Sequence, residues 1–309
     1  MCFCTPVAFV SLDLSIANLL HCFISVREVP ADDTKTQAAT VIMSTGESIV
    51  NNNSISEKEL QKLLEQLKAK IAADAYLSTR NIDGDFVLKF LRVRDHDVEA
   101  AFVLITGYFA MRKDHPELFR LPSEVVDVFQ DNVFSISLEK NSTGEVVLLF
   151  RPGNWNTTKY DAYHIAAAPV PFLEIAAMDP GIQTAGMLEV LDFSNVTWKQ
   201  FISMPASLHK LSADLSERAI PIKYKKIHVV NQGRLVDMLW TLMKPFVSEE
   251  MKQKLNFHGT DFGKLKEVID ESMLPQELGG TRVDTMPHDA VLIKSLDAKV
   301  KDLWTKYAP

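Results

Sequence analysis

The sequence predicts an α/β protein in which an all-helical unit precedes a domain built on a mostly parallel sheet. Two patterns and the composition support this prediction. Residues 56–120 repeat apolar side chains at helical spacing, and from residue 131 onward predicted strands alternate with helices. The 309 residues are 47% apolar and 24% charged, which suits one large domain or a small domain joined to a larger one.

The first 55 residues differ in composition from the rest of the chain. Residues 7–25 are an apolar run long enough for a signal sequence or a marginal membrane span. No Lys or Arg precedes Arg27, and Asp13 lies inside the run, which disfavours both. We therefore interpret residues 1–55 as a disordered or non-essential leader. A translation start at Met43, a targeting segment and a membrane anchor remain the alternatives.

Capping residues mark where the helices of the first unit begin. Ser56 and Glu59 form a capping box, and Asp97 is placed to cap a third helix. A second helix is predicted over 84–92. The apolar face of the first helix comprises Leu60, Leu63, Leu64, Leu67 and Ile71. Residues 56–120 are therefore expected to form a compact helical domain.

The segment from residue 131 carries the strands. Turn residues at 141–144 separate two apolar stretches and predict a hairpin. Further strands are predicted at 186–193, 225–231 and 255–259. Helices are predicted at 159–178, 197–218, 233–243, 248–255, 261–271 and 289–306, with proline kinks in the first and second. Because strands and helices alternate, the sheet is expected to be largely parallel.

Charge, cysteine usage and motifs exclude several function classes. A net charge of −7 disfavours a duplex nucleic-acid binder, so no nucleic-acid partner is expected. The three cysteines all lie at or before Cys22, so the body of the chain has no disulfide or cysteine metal site, and a reducing compartment is favoured. Dinucleotide, Walker, zincin and nucleophile-elbow motifs are absent. The strand histidines His228 and His258 are interpreted as structural. We therefore expect no catalytic residues, no metal and no cofactor.

One segment is basic in an otherwise acidic chain. Residues 218–254 contain eight Lys or Arg against three acidic residues. Within the segment, residues 234–246 carry a broad apolar stripe that includes Leu235, Leu239 and Leu242. Basic residues beside an apolar helix suit docking on an anionic lipid surface. A core helix with solvated lysines fits the same pattern.

Several ordered motifs resemble a known family. They are FVLKFLRVRDHDVEAAFVLITGYFAMRKDHPELF (86–119), RPGNW (151–155), DPGIQTAGMLEVLDFS (179–194), PIKYKKIHVVNQ (221–232), KPFVSEEMKQKLNFHG (244–259) and LPQELGG (274–280). Over residues 56–283 the chain is similar to the CRAL-TRIO lipid-binding family, in its tocopherol-transfer and retinaldehyde-binding branch. The agreement of several motifs at family spacing makes this resemblance highly specific.

The resemblance implies an architecture and a function. It implies a helical N-terminal domain over 56–120, an α/β lipid-binding domain over 131–283 with a mobile lid helix, and a helical tail over 284–309. The implied function is non-enzymatic: a cytoplasmic monomer carries a small hydrophobic ligand and docks transiently on phosphoinositide-containing membranes. The alternative is a lipid-sensing adaptor that couples lipid or membrane occupancy to a protein partner.

The resemblance also assigns residues to a ligand pocket. The strand containing Met187, Glu189 and Leu191 places these three side chains on one face, and the family looks into its cavity from that face. Other wall positions matched by resemblance are Tyr163, Ala166, Leu215, Ile220 and Ile222. Glu189 departs from the family, which has a small apolar residue there. A buried carboxylate needs a partner or a proton, so Glu189 either anchors a polar ligand head or pairs with a protein group.

Two further sets come from the same resemblance. Arg94, Lys223 and Lys254 match phosphoinositide-contacting positions, and Lys225 is a nearby basic match. Trp198, Ile202, Leu235, Leu239 and Leu242 match the lid and membrane gate at the pocket mouth. Two departures weaken the carry-over: Asn195 replaces a common family glycine, and Glu250 stands where a basic residue is expected.

Overall fold

The computed structural model describes residues 55–137, 139–244, 249–283 and 290–309. The leader predicted over 1–55, with its alternatives, therefore lies outside the described residues apart from Ile55, as do residues 284–289 of the predicted tail. Within the described ranges, helices come first and a five-stranded sheet follows. This order is the one the sequence predicts.

Three helices form the first unit: α1 (Glu57–Ala73), α2 (Gly84–Val93) and α3 (Val98–Asp114). Each begins directly after the residue whose side chain caps it. Ser56 accepts a hydrogen bond from the Glu59 amide at 3.2 Å, and Asp97 accepts one from the Ala100 amide at 2.9 Å. Buried aromatic and aliphatic side chains from all three helices form one core, with Phe90, Leu104 and Tyr108 almost fully covered.

The sheet contains β1 (Phe134–Ile136), β2 (Val146–Phe150), β3 (Met187–Asp192), β4 (Tyr224–Val230) and β5 (Leu255–Gly259). Its spatial order follows the chain order, with β1 antiparallel to β2 and the remaining pairs parallel. The hairpin at 141–144 and the parallel sheet agree with the sequence prediction. Parallel neighbours need crossover connections, which the helices between them provide.

The remaining helices are α4 (Pro122–Gln130), α5 (Ala162–Ala167), α6 (Val170–Ala176), α7 (Pro180–Ala185), α8 (Trp198–Ser203), α9 (Ala206–Arg218), α10 (Arg234–Met243), α11 (Glu249–Lys254), α12 (Phe262–Lys266) and α13 (Ala290–Lys306). The single helix expected over 159–178 is two helices, because Pro169 separates α5 from α6. The helix expected over 261–271 is wrong in length, since α12 ends at Lys266. The sequence prediction missed α4 and α7.

The two faces of the sheet are covered differently. On one face, which we call the filled face, apolar side chains pack against α12 and the segment that follows it. That cluster comprises Val147, Leu149, Leu188, Val190, Val230, Leu265, Ile269, Met273, Leu274 and Leu278, all buried. The opposite face, which we call the pocket face, packs on α4 to α6 and α9 through Val146, Leu148 and Met187. Toward β5 the side chains on the pocket face are only partly covered by other residues.

Close backbone contact joins the helical unit to the sheet domain. A Cβ atom at Gly107 of α3 would lie 1.9 Å from the Arg218 carbonyl oxygen at the end of α9. Only glycine allows this approach. Nearby, Lys89 of α2 lies among aromatic rings with its Nζ 3.9 Å from Glu174 Oε2 of α6, and burial lowers the pKa of Lys89.

The last helix also joins the two units. Arg112 of α3 donates hydrogen bonds to the carbonyl oxygens of Trp304, at 3.0 Å, and of Tyr307. The Tyr307 ring stacks on Phe86 with a centroid separation of 3.9 Å, and its hydroxyl donates to Asp83 at 2.7 Å. Residues at the end of α13 therefore complete the core of the first unit.

Candidate functional site

The side chains on the pocket face between β3 and β5 are only partly covered, and we interpret this region as a recess. Glu189 pairs in register with Leu148 on one side and with Ile227 on the other, so the three side chains share this face. Leu148 is buried, whereas Glu189 and Ile227 are only half-buried. Leu191 and Leu255 are half-buried as well. Because burial nevertheless dominates the electrostatics of Glu189, we interpret its uncovered surface as facing a space inside the fold.

Helix α9 and the segment after it form the wall opposite the sheet. Leu208 and Leu215 of α9 are buried in the same core cluster as Met187, together with Ile220 and Ile222. Their side chains cover the part of the pocket face near β2 and the start of β3. The recess begins where this cover ends.

The structure places the eight predicted pocket residues in three settings. Five belong to one buried cluster on the pocket face: Ala166, Met187, Leu215, Ile220 and Ile222. Glu189 and Leu191 continue the same strand face from Met187 and border the recess. Tyr163 is 41% exposed on α5 and is separate from this cluster.

The carboxyl group of Glu189 lies in an apolar environment. Among the described residues, no hydrogen bond or salt bridge to its carboxyl is found. Burial raises the pKa of Glu189 to about 7. Burial and the neighbouring Glu189 carboxyl raise the pKa of Tyr224, while a hydrogen bond with Ser216 opposes the rise. Glu189, Tyr224 and Ser216 thus form a polar group at the inner end of an apolar recess.

The predicted gate residues lie at the carboxyl ends of β3 and β4. On α8, Trp198 is 44% exposed and Ile202 is 66% exposed. Leu235 of α10 is half-buried, and Trp240 of the same helix packs on Phe257 of β5 with ring centroids 5.0 Å apart. The side chains of Leu239, Leu242 and Glu250 are outside those that the structure describes.

A turn after β3 sets the direction of α8. Asn195 has a φ of 57°, a left-handed conformation that glycine and asparagine adopt more readily than other residues. This geometry explains why asparagine can replace the glycine expected by resemblance. The chain then turns into α8, whose first residue is Trp198.

The predicted phosphoinositide residues lie at the opposite strand ends. Lys223 and Lys225 stand at the start of β4, and Lys254 precedes β5. Lys223 Nζ contacts both carboxylate oxygens of Asp95 at 2.6 Å, and Lys225 Nζ lies 2.8 Å from Glu145 Oε1. Arg94 donates to the Glu217 carbonyl oxygen. Since Asp95 follows Arg94 in the chain, the fold brings Arg94 near Lys223, and both Lys223 and Lys225 already have carboxylate partners.

Burial and charge act in opposite directions on Glu145. Burial favours its neutral form, but hydrogen bonds from Lys225, Asn141 and Thr143 outweigh this and hold the pKa of Glu145 below its ordinary value. The pair with Lys225 is thus an ion pair at neutral pH. A phosphate binding to Lys225 must compete with this carboxylate.

The basic cluster, which comprises Arg94, Lys223, Lys225 and Lys254, is separated from the exposed apolar side chains of α8 by about the length of a strand. β4 has seven residues, which corresponds to about 20 Å. Because β3, β4 and β5 are parallel, the lysines lie at their amino ends and α8 and α10 follow their carboxyl ends. A membrane surface that contacts both must cover this distance.

Sequence reasoning missed Tyr224 and Ser216. A bulge between the β3 and β4 registers shifts the alternation, so Tyr224 pairs with Met187 while Ile227 pairs with Glu189. Simple alternation over KKIHVV would place Tyr224 on the other face. Ser216 comes from α9, and its position depends on helix packing. Only the unusual Glu189 signalled that polar neighbours belong here.

The described residues offer neither a metal site nor a membrane span. No group of three or more His, Cys, Asp or Glu in these ranges is arranged to hold an ion. The helices of these ranges are also too short or too polar to cross a bilayer. The two strand histidines pair with each other, His228 Nδ1 to His258 Nε2 at 3.0 Å.

Comparison with known proteins gives consistent similarities. Residues 130–280 match the model of the CRAL/TRIO domain. The chain is 30% identical over 230 residues to human "Alpha-tocopherol transfer protein-like", covering 73% of this chain and 67% of that protein. It is 26% identical over 230 residues to rat Clavesin-1, covering 72% and 64% respectively. The crystal structure of Sfh5 superposes with a TM-score of 0.51 at 13% identity, over 81% of this chain and 100% of that one.

Proposed function

This chain belongs to the CRAL-TRIO family, and from that premise we propose that it carries a small hydrophobic ligand through the cytoplasm. The ligand, of tocopherol, retinoid or phospholipid type, occupies the recess over the pocket face. The proposal involves no chemical conversion of the ligand. The protein acts as a monomer and associates transiently with membranes.

One observation supports this proposal most directly. On the filled face Leu149, Leu188 and Val190 are buried, whereas on the pocket face Leu191, Ile227 and Leu255 are only half-buried. Uncovered apolar surface inside a fold is unfavourable, at about 25 cal/mol per Å². A bound apolar ligand removes that surface from water, and ligand sites are usually recesses of this kind.

We further propose that the basic cluster docks on phosphoinositides. Arg94, Lys223, Lys225 and Lys254 supply cationic donors, and several donors converging on one phosphate give strong binding. The exposed Trp198 and Ile202 of α8 supply apolar groups that can enter the lipid. The basic residues then attract the protein to the membrane surface, and the apolar side chains insert into the lipid.

The carrier role is tested with purified, delipidated full-length protein. Native mass spectrometry should detect a hydrophobic molecule after incubation with a mixed lipid extract, and catalytic amounts of protein should accelerate transfer of a labelled lipid between vesicles. Binding without accelerated transfer favours the lipid-sensing adaptor instead. If no lipid binds in either assay, the proposal is wrong.

Phosphoinositide docking is tested by charge reversal. The double variant Lys223→Glu and Lys254→Glu should reduce binding to vesicles that contain phosphatidylinositol bisphosphate by more than tenfold, since each basic residue near an anionic surface contributes about 1 kcal/mol. The matched control is Lys58→Glu with Lys62→Glu, which changes the charge equally on the exposed side of α1. Equal losses in both double variants would mean that only net charge matters.

The gate is tested at Ile202. Ile202→Asp should slow vesicle transfer while leaving ligand affinity and Tm unchanged, because the side chain is 66% exposed. Val103 of α3 is 61% exposed, so Val103→Asp is a matched control that should transfer ligand at the wild-type rate. A fall in Tm for Ile202→Asp would instead identify a packing role.

A further inference from the structure

The position of Glu189 differs from that of other buried polar groups in the sheet. On the filled face, His228 is paired with His258, and Asp192 accepts hydrogen bonds from the Ser194 amide and the Asn231 side chain, both at 2.9 Å. Glu189 lies in the middle of β3 on the pocket face and has no such partner among the described residues. An unpaired carboxylate in an apolar site is unfavourable unless it takes up a proton or a ligand satisfies it.

Tyr224 supplies the complementary group. It pairs with Met187 in the sheet, two residues before Glu189 on the same face, and is close enough to feel the Glu189 carboxyl. Ser216 of α9 lies within hydrogen-bonding reach of the phenol, and its own hydroxyl donates to the Ser212 carbonyl oxygen at 3.0 Å, so the Tyr224 proton can go either to Ser216 or to a ligand. The recess therefore presents an acceptor and a phenolic hydroxyl side by side.

We infer that Glu189 and Tyr224 select the head group of the ligand, binding a lipid alcohol and rejecting lipids with a carboxylate or phosphate head. This inference rests on the proposed function and specifies the ligand that the recess takes. It also places the head against the sheet, so that the apolar tail lies toward α10.

The chemistry of the two side chains favours an alcohol over the other head groups. A hydroxyl donates one hydrogen bond and accepts others, so it can donate to Glu189 and, when the Tyr224 proton turns from Ser216 to the ligand, accept from Tyr224. A carboxylate or phosphate places like charges together without water, which is strongly unfavourable. An amine offers Glu189 a partner but buries a second charge.

The test compares two ligands with the same tail. Delipidated full-length protein is titrated with hexadecanol and with hexadecanoic acid at pH 8, where both Glu189 and the acid are ionised. The wild type should bind the alcohol at least tenfold more tightly, because a hydrogen bond to a charged group and a like-charge contact both exceed that factor. Glu189→Gln should bring the two affinities within about threefold by admitting the acid.

Two further variants separate this role from general packing. Tyr224→Phe keeps the ring and should weaken binding of the alcohol about fivefold while leaving the acid unchanged. Leu188→Met, on the filled face of β3, should leave the preference unaltered. If Glu189→Gln keeps the wild-type preference, the inference is wrong while the carrier function stands. If the wild type binds neither ligand, the inference is also wrong, and extraction of any lipid from vesicles then judges the carrier function separately.

Discussion

The two faces of the sheet use the same strands in opposite ways. On the filled face, Val190 is fully buried and the polar residues Asp192 and His228 have hydrogen-bond partners. On the pocket face, the next residue along β3, Leu191, is half-buried, and Glu189 has no partner among the residues described. One face thus stabilises the protein through packing, and the other retains surface for a second molecule.

This difference separates stability from ligand binding within a single strand. Because successive side chains of a strand point to opposite faces, a change at one residue can affect packing while its neighbour affects binding. Four experiments test how far that separation extends.

The largest effect is expected from truncating equivalent leucines on the two faces. Leu149 of β2 is 1% exposed on the filled face, so Leu149→Ala should lower the free energy of unfolding by about 2–5 kcal/mol. Leu191→Ala on the pocket face should lower it by less than about 1.5 kcal/mol, since the side chain is only half-buried. Urea unfolding of delipidated protein measures both values, and equal losses would contradict the comparison.

The second effect concerns how Glu189 changes stability between about pH 4.5 and 7. Burial raises the pKa of Glu189 from 4.5 to about 7, so the folded state holds a proton that the unfolded state releases over this interval. The contribution of Glu189 to stability should therefore fall as the pH rises from about 4.5 to 7, by up to about 3 kcal/mol. Glu189→Gln should remove this fall, measured as Tm against pH. An unchanged slope in the variant would assign the fall to other groups.

On the filled face the pH dependence has the opposite sign. Burial, the neighbouring His258 and Lys226 lower the pKa of His228 from 6.5 to about 4. The unfolded state takes up a proton first, so the contribution of His228 to stability should fall as the pH drops from about 6.5 to 4, by about 2 kcal/mol. This contribution opposes that of Glu189 over nearly the same interval, so His228→Asn should steepen the fall of Tm with rising pH and Glu189→Gln should reverse it. If the two changes are not additive in the double variant, the two faces are not independent.

The smallest effect concerns Asp95, a carboxylate that already has a cationic partner. Asp95 pairs with Lys223, whereas Glu189 has no cation beside it within the described ranges. Asp95→Asn should release Lys223 for anionic lipid and raise binding to phosphatidylinositol bisphosphate vesicles about fivefold. Asp85→Asn in the first turn of α2 is a charge-matched control, and an equal gain there would reduce the effect to net charge.

Local sequence features were sufficient to predict most of the helices and strands. Side-chain caps such as Ser56 and Asp97 mark helix starts independently of the rest of the fold. The missed helices α4 and α7 begin with Pro122 and Pro180. Proline suits the first turn of a helix, but among short, polar neighbours it equally indicates that a helix ends. α12 was predicted too long because its end depends on packing against the sheet.

The candidate site was predictable only in part. Strand alternation placed Glu189 and Leu191 on one face, and family resemblance supplied Arg94, Lys223 and Lys254. Asp95 and Glu145 as partners of the lysines were not predicted, because Asp95 is 128 residues from Lys223. Contacts over that separation depend on the complete fold, which no local pattern encodes.

The junction between α3 and α13 has a consequence for synthesis of the protein. Arg112 and Tyr307 are 195 residues apart, and ribosomes add about 5–20 residues per second. The first helical unit therefore exists for about 10–40 s before the side chain that stacks on Phe86 is made. During that interval its aromatic core is open at one end and the Arg112 guanidinium lacks its carbonyl partners. Nascent chains of this protein should thus engage chaperones through the α2–α3 region until translation passes α13.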